Sequence, residues 1–167
     1  MKRAILLTAA AATLALGGCM SSGPGNQRAD LQVTLTGIQE VPGPGDPDGS
    51  GTVQLRIIPG DGQVCWNLYA RSIDRATAAH IHRGGAGLAG PPVVTLTTPD
   101  ALGRSEGCAT VDVGLAREIV MRSHDFYVNV HTDAHPAGAI RGQMRGGPRP
   151  RERGVDVTPR STTPGAT

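Results

Sequence analysis

The 167-residue chain carries sixteen basic and fourteen acidic side chains, a net charge of +2, and only four aromatic residues beside 24 glycines and 13 prolines. This length holds one domain with flexible ends, and the near balance of charge with so few stacking side chains gives no basis for specific nucleic-acid binding. Residues 31–142 hold eight arginines against eleven carboxylates and residues 143–167 five against two, so an acidic body precedes a basic end.

Met1-Lys2-Arg3 is followed by an apolar run from Ala4 to Leu16. That run is too short for a comfortable membrane span and has the form of a secretory signal. Leu16-Gly17-Gly18-Cys19 resembles the bacterial lipoprotein signal, in which the cysteine becomes the lipidated first residue after cleavage. The resemblance implies a signal peptide over 1–18, acylation at Cys19, a flexible tether over 19–30, and attachment to a membrane. The location it implies is the bacterial cell envelope, lipid-anchored and facing the periplasm or the cell surface. Removing Lys2 and Arg3 leaves a mature chain of zero formal charge.

The body opens with Leu31-Gln32-Val33-Thr34-Leu35-Thr36, an apolar/polar alternation expected of a half-buried strand. Gly37 to Gly51 is expected as a loop, with three prolines and Asp46 and Asp48. Thr52 to Ile57 resumes the period of two. Pro59-Gly60-Asp61-Gly62 then turns the chain into Gln63 to Ala70, where Val64, Trp66 and Leu68 form the apolar stripe. Residues 71 to 79 lead into Ala79-His80-Ile81-His82, and Arg83 to Gly90 reads as a glycine-rich loop. Val93 to Leu96 is expected as a strand, Pro99 to Gly107 as a polar turn, and Cys108 to Val113 as a strand. Leu115 to Ser123 breaks the period and permits a short helix. Phe126 to His131 returns to strand spacing with Phe126, Val128 and Val130 opposite Tyr127, Asn129 and His131, and Ala139 to Met144 closes the domain.

Six or more short strands with almost no helix predict an all-β fold, an antiparallel Greek-key-like sandwich or partly closed barrel, over residues 31–144. Trp66, Phe126 and the aliphatic stripes are expected to supply much of its core. Residues 145–167, with Arg149, Arg151 and Arg153 among prolines, lack a core face and read as a disordered Arg/Pro-rich tail.

Alternation places His80 and His82 on one face of an extended chain, and His131 stands at the end of another candidate strand. Two readings follow. The first is a hydrogen-bonded structural corner, with partners among Tyr127, Asn129, Asp133 and main-chain groups. The second is a metal site of His80, His82 and His131, because neutral imidazole nitrogens bind copper or zinc. His135 is a further ligand candidate, but His135-Pro136-Ala137-Gly138 also reads as a turn. Ser123-His124-Asp125 is contiguous and reads as a polar helix-to-strand boundary, since adjacency does not create the separated geometry of a serine triad. The glycine-rich loop lacks the Gly-Lys-Ser/Thr ending of a phosphate-binding loop.

Cys65 and Cys108 are the only other cysteines. An exported compartment favours a disulfide between them, and they lack the Cys-X-X-Cys spacing of a redox pair.

Five blocks occur in order from Leu31 to Met144: Gly37-Ile38-Gln39-Glu40-Val41-Pro42, Thr77 to Gly84, Gly90-Pro91-Pro92-Val93-Val94, Tyr127 to Thr132, and Pro136 to Gln143. Together they resemble the CHRD family, named for the domain of the secreted developmental protein chordin and widespread in bacterial envelope proteins. The resemblance implies an all-β extracellular module. Chordin members are associated with growth-factor binding, a partner that does not carry over to a bacterial lipoprotein, and no catalytic residues transfer. His-X-His with the later Val-His also resembles the copper ligands of copper/zinc superoxide dismutases, another β-sandwich family. Neither a fourth ligand nor that family's zinc-binding loop is identifiable in this chain.

The leading expectation is therefore an envelope-anchored, non-enzymatic binding or structural module without a cofactor, its ligand an envelope protein or cell-wall polymer. The alternative is a periplasmic copper or other transition-metal-binding protein, extending to superoxide chemistry. The anchoring expectation is tested by Cys19→Ala, which should abolish lipid labelling and release the protein from membranes. Unchanged labelling and fractionation would reject it.

Overall fold

A computed structural model of the chain describes residues 26–146. The signal segment, Cys19, most of the tether and nearly all of the basic tail lie outside the described residues.

Eight strands form one antiparallel sheet: β1 (Ala29–Thr36), β2 (Ser50–Ile58), β3 (Gln63–Arg71), β4 (Ala76–Arg83), β5 (Pro92–Leu96), β6 (Arg104–Thr110), β7 (Phe126–Thr132) and β8 (Ile140–Gln143). One helix, α1 (Val113–Met121), precedes β7. The strand order is β5-β4-β7-β8-β1-β2-β3-β6. The sheet curls into a nearly closed barrel, bringing its two edges together, where Trp66 Nε1 donates to Ser105 Oγ at 3.1 Å and Ser105 Oγ donates to the Thr97 carbonyl just beyond β5. The expected partly closed barrel is the fold observed.

Alternation decides which side chains fill it. Val33, Leu35, Val53, Leu55, Ile57, Val64, Leu68, Ala79, Ile81, Val128, Val130 and Ile140 are buried, joined by Trp66 and Phe126. Asp112 caps α1 by accepting from the Gly114 and Leu115 amides at 2.8 and 3.2 Å, satisfying donors that the first helical turn leaves free. Ala116, Ile119 and Val120 face the core.

Several expected boundaries shift. The strand expected from Cys108 begins at Arg104, inside the expected polar turn, because Ser105, Gly107 and Ala109 pair with Leu68, Trp66 and Val64 on β3 and hide the usual apolar alternation. Strand β4 begins at Ala76, in what the sequence left as a lead-in. The helix starts two residues early, and Ser123–Asp125 forms a separate 3-10 turn. The loop after β1 begins with another such turn, Gly37–Gln39. The two opposed faces expected of Phe126 to His131 are both covered: in β7 every residue except His131 is buried. Its second face is covered by loops.

Cys65 and Cys108 are direct cross-strand partners on β3 and β6 and form a disulfide, with Cα atoms 3.9 Å apart. It lies on the outside of the barrel, where Cys108 is exposed, and it ties β6 to β3 beside the seam. Closing a 43-residue span restricts the unfolded chain by about 4 kcal/mol in the chain-entropy account. Non-reducing peptide mapping should recover Cys65 linked to Cys108. The Cys65→Ala/Cys108→Ala double variant should lose about 2–4 kcal/mol in urea unfolding, and no loss would show that the bridge contributes nothing to stability.

Candidate functional site

The β4–β7 register sets Ala78 opposite His131, His80 opposite Asn129 and His82 opposite Tyr127. Ala79 and Ile81 enter the core together with Val128 and Val130, so alternation turns His80, His82, Tyr127, Asn129 and His131 to the outer face. His131 then lies diagonally across from His80, within reach of its side chain. Strand β8 continues this face with Arg141, opposite Asn129, and Gln143, opposite Tyr127.

Two loops roof this outer face. The loop after β4 lays Gly90 on His82 and Tyr127: the Gly90 carbonyl accepts from His82 Nδ1 at 2.8 Å, and the Gly90 amide donates to the Tyr127 hydroxyl at 3.2 Å. A Cβ at Gly90 would overlap the Arg83 carbonyl, so only glycine permits that approach. The same loop supplies the Gly85 carbonyl to Arg141 Nη2 and the Gly84 carbonyl to Gln143 Nε2. The loop after β1 brings in Glu40, whose carboxylate occupies the space that a side chain at Gly138 would need. Glu40, His82, Tyr127, Asn129 and Arg141 are all buried here, outside the barrel core.

The three histidines converge. One ring nitrogen from each of His80, His82 and His131 lies within 4.8 Å of the other two, and the group contains no carboxylate or thiol. His80 Nδ1 is 3.2 Å from His131 Nε2. His131 Nδ1 donates to the Pro136 carbonyl at 3.0 Å, as His82 Nδ1 does to Gly90. Each backbone carbonyl demands an N–H, so each ring carries its lone pair on Nε2. His82 Nε2 is buried without a hydrogen-bond partner among the described residues, and leaving such a group unmet costs about 1–3 kcal/mol. His80 and His131 are half-buried and open the cluster to solvent.

Burial lowers the pKa of all three imidazoles below the usual histidine value. The positive charge of His131 and His82 adds to the effect at His80, and that of His131 and Arg141 adds to it at His82. Neutral rings are the form that binds a metal. For Glu40 burial dominates and raises the pKa to about 7, against the opposing pull of Arg141.

The expected main-chain partners are therefore Gly90 and Pro136, while Tyr127 stacks on His82 with ring centroids 4.8 Å apart and planes 12° apart. Asp133 is exposed and contributes nothing to the cluster. His135 lies in the turn, its amide donating to Thr132 Oγ1 and its carbonyl accepting from Gly138. Ser123 Oγ is buried with no partner among the described residues and makes no bond to His124, whose ring faces Asp125. Two hollows of about 490 and 640 Å³ lie on the outer face of β1, β2, β3 and β6, away from the histidines.

The roles of Glu40 and Arg141 are additions to the sequence reading. A charged residue at an outward strand position reads as solvent-facing: alternation with Ile140 and Gly142 gives Arg141 an outward position, and the β7–β8 register puts it on the histidine face.

Residues 31–144 match the family model described as the CHRD domain, which spans more than half of the chain. No match to a curated protein or to a solved structure was found.

Opposite pH dependences meet in this layer. The lowered histidine values contribute stability that is present above the unfolded value and lost as pH falls through the folded ones. Glu40 contributes stability that is full below its ordinary value of 4.5 and lost as pH rises through about 7. Glu40→Gln should therefore leave the histidine dependence intact and remove the alkaline loss. Between pH 4.5 and 8 its stability should rise relative to the unsubstituted protein by up to about 3 kcal/mol. Urea midpoints at the two pH values measure this, and parallel changes in the two proteins would rule out a buried, protonated Glu40.

Proposed function

We propose that this chain, which belongs to the CHRD-domain family, is a lipid-anchored protein of the bacterial envelope whose domain binds a transition-metal ion through His80, His82 and His131. The observation that carries the reading is the convergence of three imidazole nitrogens, two of them on rings whose other nitrogen is tied to a backbone carbonyl. Metal-bound histidines are characteristically oriented in that way.

A metal about 2.0–2.1 Å from each nitrogen needs donors roughly 3.3–3.6 Å apart. The His80–His131 pair is already at 3.2 Å, and the donors of all three rings lie within 4.8 Å of one another, so His82 and its orphaned Nε2 must move closer on binding. His80, whose Nδ1 carries the proton that His131 Nε2 accepts in the metal-free form, would pass to the other tautomer and coordinate through Nδ1, with His82 and His131 coordinating through Nε2. Three neutral donors suit copper or zinc, and the half-exposed side supplies a position for a fourth ligand.

A protein or cell-wall polymer is the second reading for the module's ligand. It is favoured by Ile38 and Leu88, which are 86% and 63% exposed on the two loops that roof the histidine face. Envelope attachment through Cys19 fits both readings, as does a disulfide suited to an oxidising compartment.

Isothermal titration of metal-free, oxidised protein with Cu(II) or Zn(II) should give one site of submicromolar Kd. His80→Ala, His82→Ala and His131→Ala should each weaken it at least a hundredfold, while His124→Ala, at an exposed histidine, should leave it unchanged. Binding unaffected by the three substitutions would overturn the proposal.

A further inference from the structure

Arg141 is 1% exposed and stands in the same layer as the histidines. Strand β7 runs between β4 and β8, so the Tyr127 ring rises between His82 on one side and Arg141 on the other. The guanidinium carbon lies 3.5 Å from the Tyr127 ring centroid, and His82 stacks on that ring at 4.8 Å. Arg141 Nη2 donates to the Gly85 carbonyl and Gln143 Oε1, and Nη1 is buried with no partner among the described residues. Among the described residues no carboxylate lies within ion-pairing distance of it. Glu40 is the buried carboxyl that faces it, and its pKa of about 7 makes it a partial counter-charge at neutral pH. The donor set contributes no negative charge.

A metal at this centre therefore enters beside a fixed cation that Glu40 only partly offsets. We propose that Arg141 makes the three-histidine centre selective for a monovalent soft ion, Cu(I), over divalent ions such as Zn(II). The inference rests on the metal-binding reading above and names the ion. The two ring distances, 3.5 and 4.8 Å, put the guanidinium carbon about 8 Å from the His82 ring centre, which stands in for its distance to a metal on that ring. At an effective dielectric of about 20, a unit charge at that distance weakens binding roughly thirtyfold per unit of ion charge. A divalent ion carries this penalty twice and a monovalent ion once. Cu(I) also accepts three imidazoles without an anionic ligand, whereas a divalent ion beside Arg141 needs an anion in the fourth position to offset the charge.

The test measures affinities of the full chain in detergent at pH 7, with Cu(I) held by a bicinchoninate competitor under anaerobic ascorbate and Zn(II) by a chromophoric chelator. The intact protein should bind Cu(I) at least a hundredfold more tightly than Zn(II). Arg141→Gln should tighten Zn(II) about tenfold or more while changing Cu(I) by less than the Zn(II) gain, and Arg141→Lys should keep the original gap. Asn129→Asp offers a near-isosteric second route that leaves Arg141 in place. It sets a carboxylate between His80 and Arg141 in the cross-strand row and should likewise favour Zn(II). Zn(II) bound as tightly as Cu(I) by the intact protein would overturn the selectivity while leaving the metal site standing, as would a gap unchanged in both Arg141→Gln and Asn129→Asp. Failure of both ions to bind the intact protein would overturn the metal site itself.

Discussion

The antiparallel register between β4 and β7 is the constraint on which the rest of the site depends. It places Ile81 opposite Val128 and Ala79 opposite Val130 in the core, and by the same alternation sends His80, His82 and His131 outward. A slip of one residue would exchange the two sets, burying imidazoles among aliphatic side chains and turning Ile81 toward the loops. The apolar core therefore fixes the histidine geometry without touching it. Its stabilisation is spread over both strands, which makes the placement of the rings insensitive to changes at any single roof contact.

Strands β7 and β8 work as a two-sided wall. One face closes the barrel core, and the other carries a polar layer roofed by the loops after β1 and β4. Burying polar groups is costly unless they are paired, and most of this layer is paired through backbone: Gly84, Gly85, Gly90 and Pro136 each offer a carbonyl to a side chain. Glycine dominates that list because the loop backbone must approach the sheet without intervening side chains. Among the described residues, four of the groups left unpaired, Glu40 Oε1, His82 Nε2, Asn129 Oδ1 and Arg141 Nη1, lie in this layer, and a fifth, Ser123 Oγ, belongs to the turn before β7. Unmet polar atoms gathered in one place distinguish a site from ordinary packing.

Rigidity is distributed unevenly around this wall. The Cys65–Cys108 bridge and the Trp66–Ser105 hydrogen bond fasten β6 to β3, and Ser105 reaches across the seam to the Thr97 carbonyl beyond β5, at the sheet edges rather than at the β4-β7-β8 polar layer. The edge strand β6 is thus held covalently to its neighbour, and a side-chain hydrogen bond bridges the gap where the ladder is interrupted. The histidine face relies instead on the continuous β4-β7-β8 pairing. A site of two adjacent strands and two backbone carbonyls presents its donors with little rearrangement, which lowers the ordering cost of binding.

Much of the architecture was legible in the residues alone. Period-two alternation marked the core-facing positions of Val33, Leu35, Val64, Trp66, Leu68, Val128 and Val130, since a strand with one face on the core must repeat every second residue. The shared face of His80 and His82 is equally local, a property of any extended chain. Strand β6 was partly hidden because its inward residues are small or polar. The covering of β7 on both faces was hidden because the loops that roof it lie far away in sequence. The meeting of His131 with the His80/His82 pair required the non-local register of β4 with β7, and the choice of Nε2 on His82 and His131 required the carbonyls of Gly90 and Pro136 to arrive from loops. Arg141 shows the limit most clearly. Its outward position follows from alternation, but whether outward means water or a buried layer beside the histidine face depends on chain folded over it from elsewhere, and only the tertiary structure decides that.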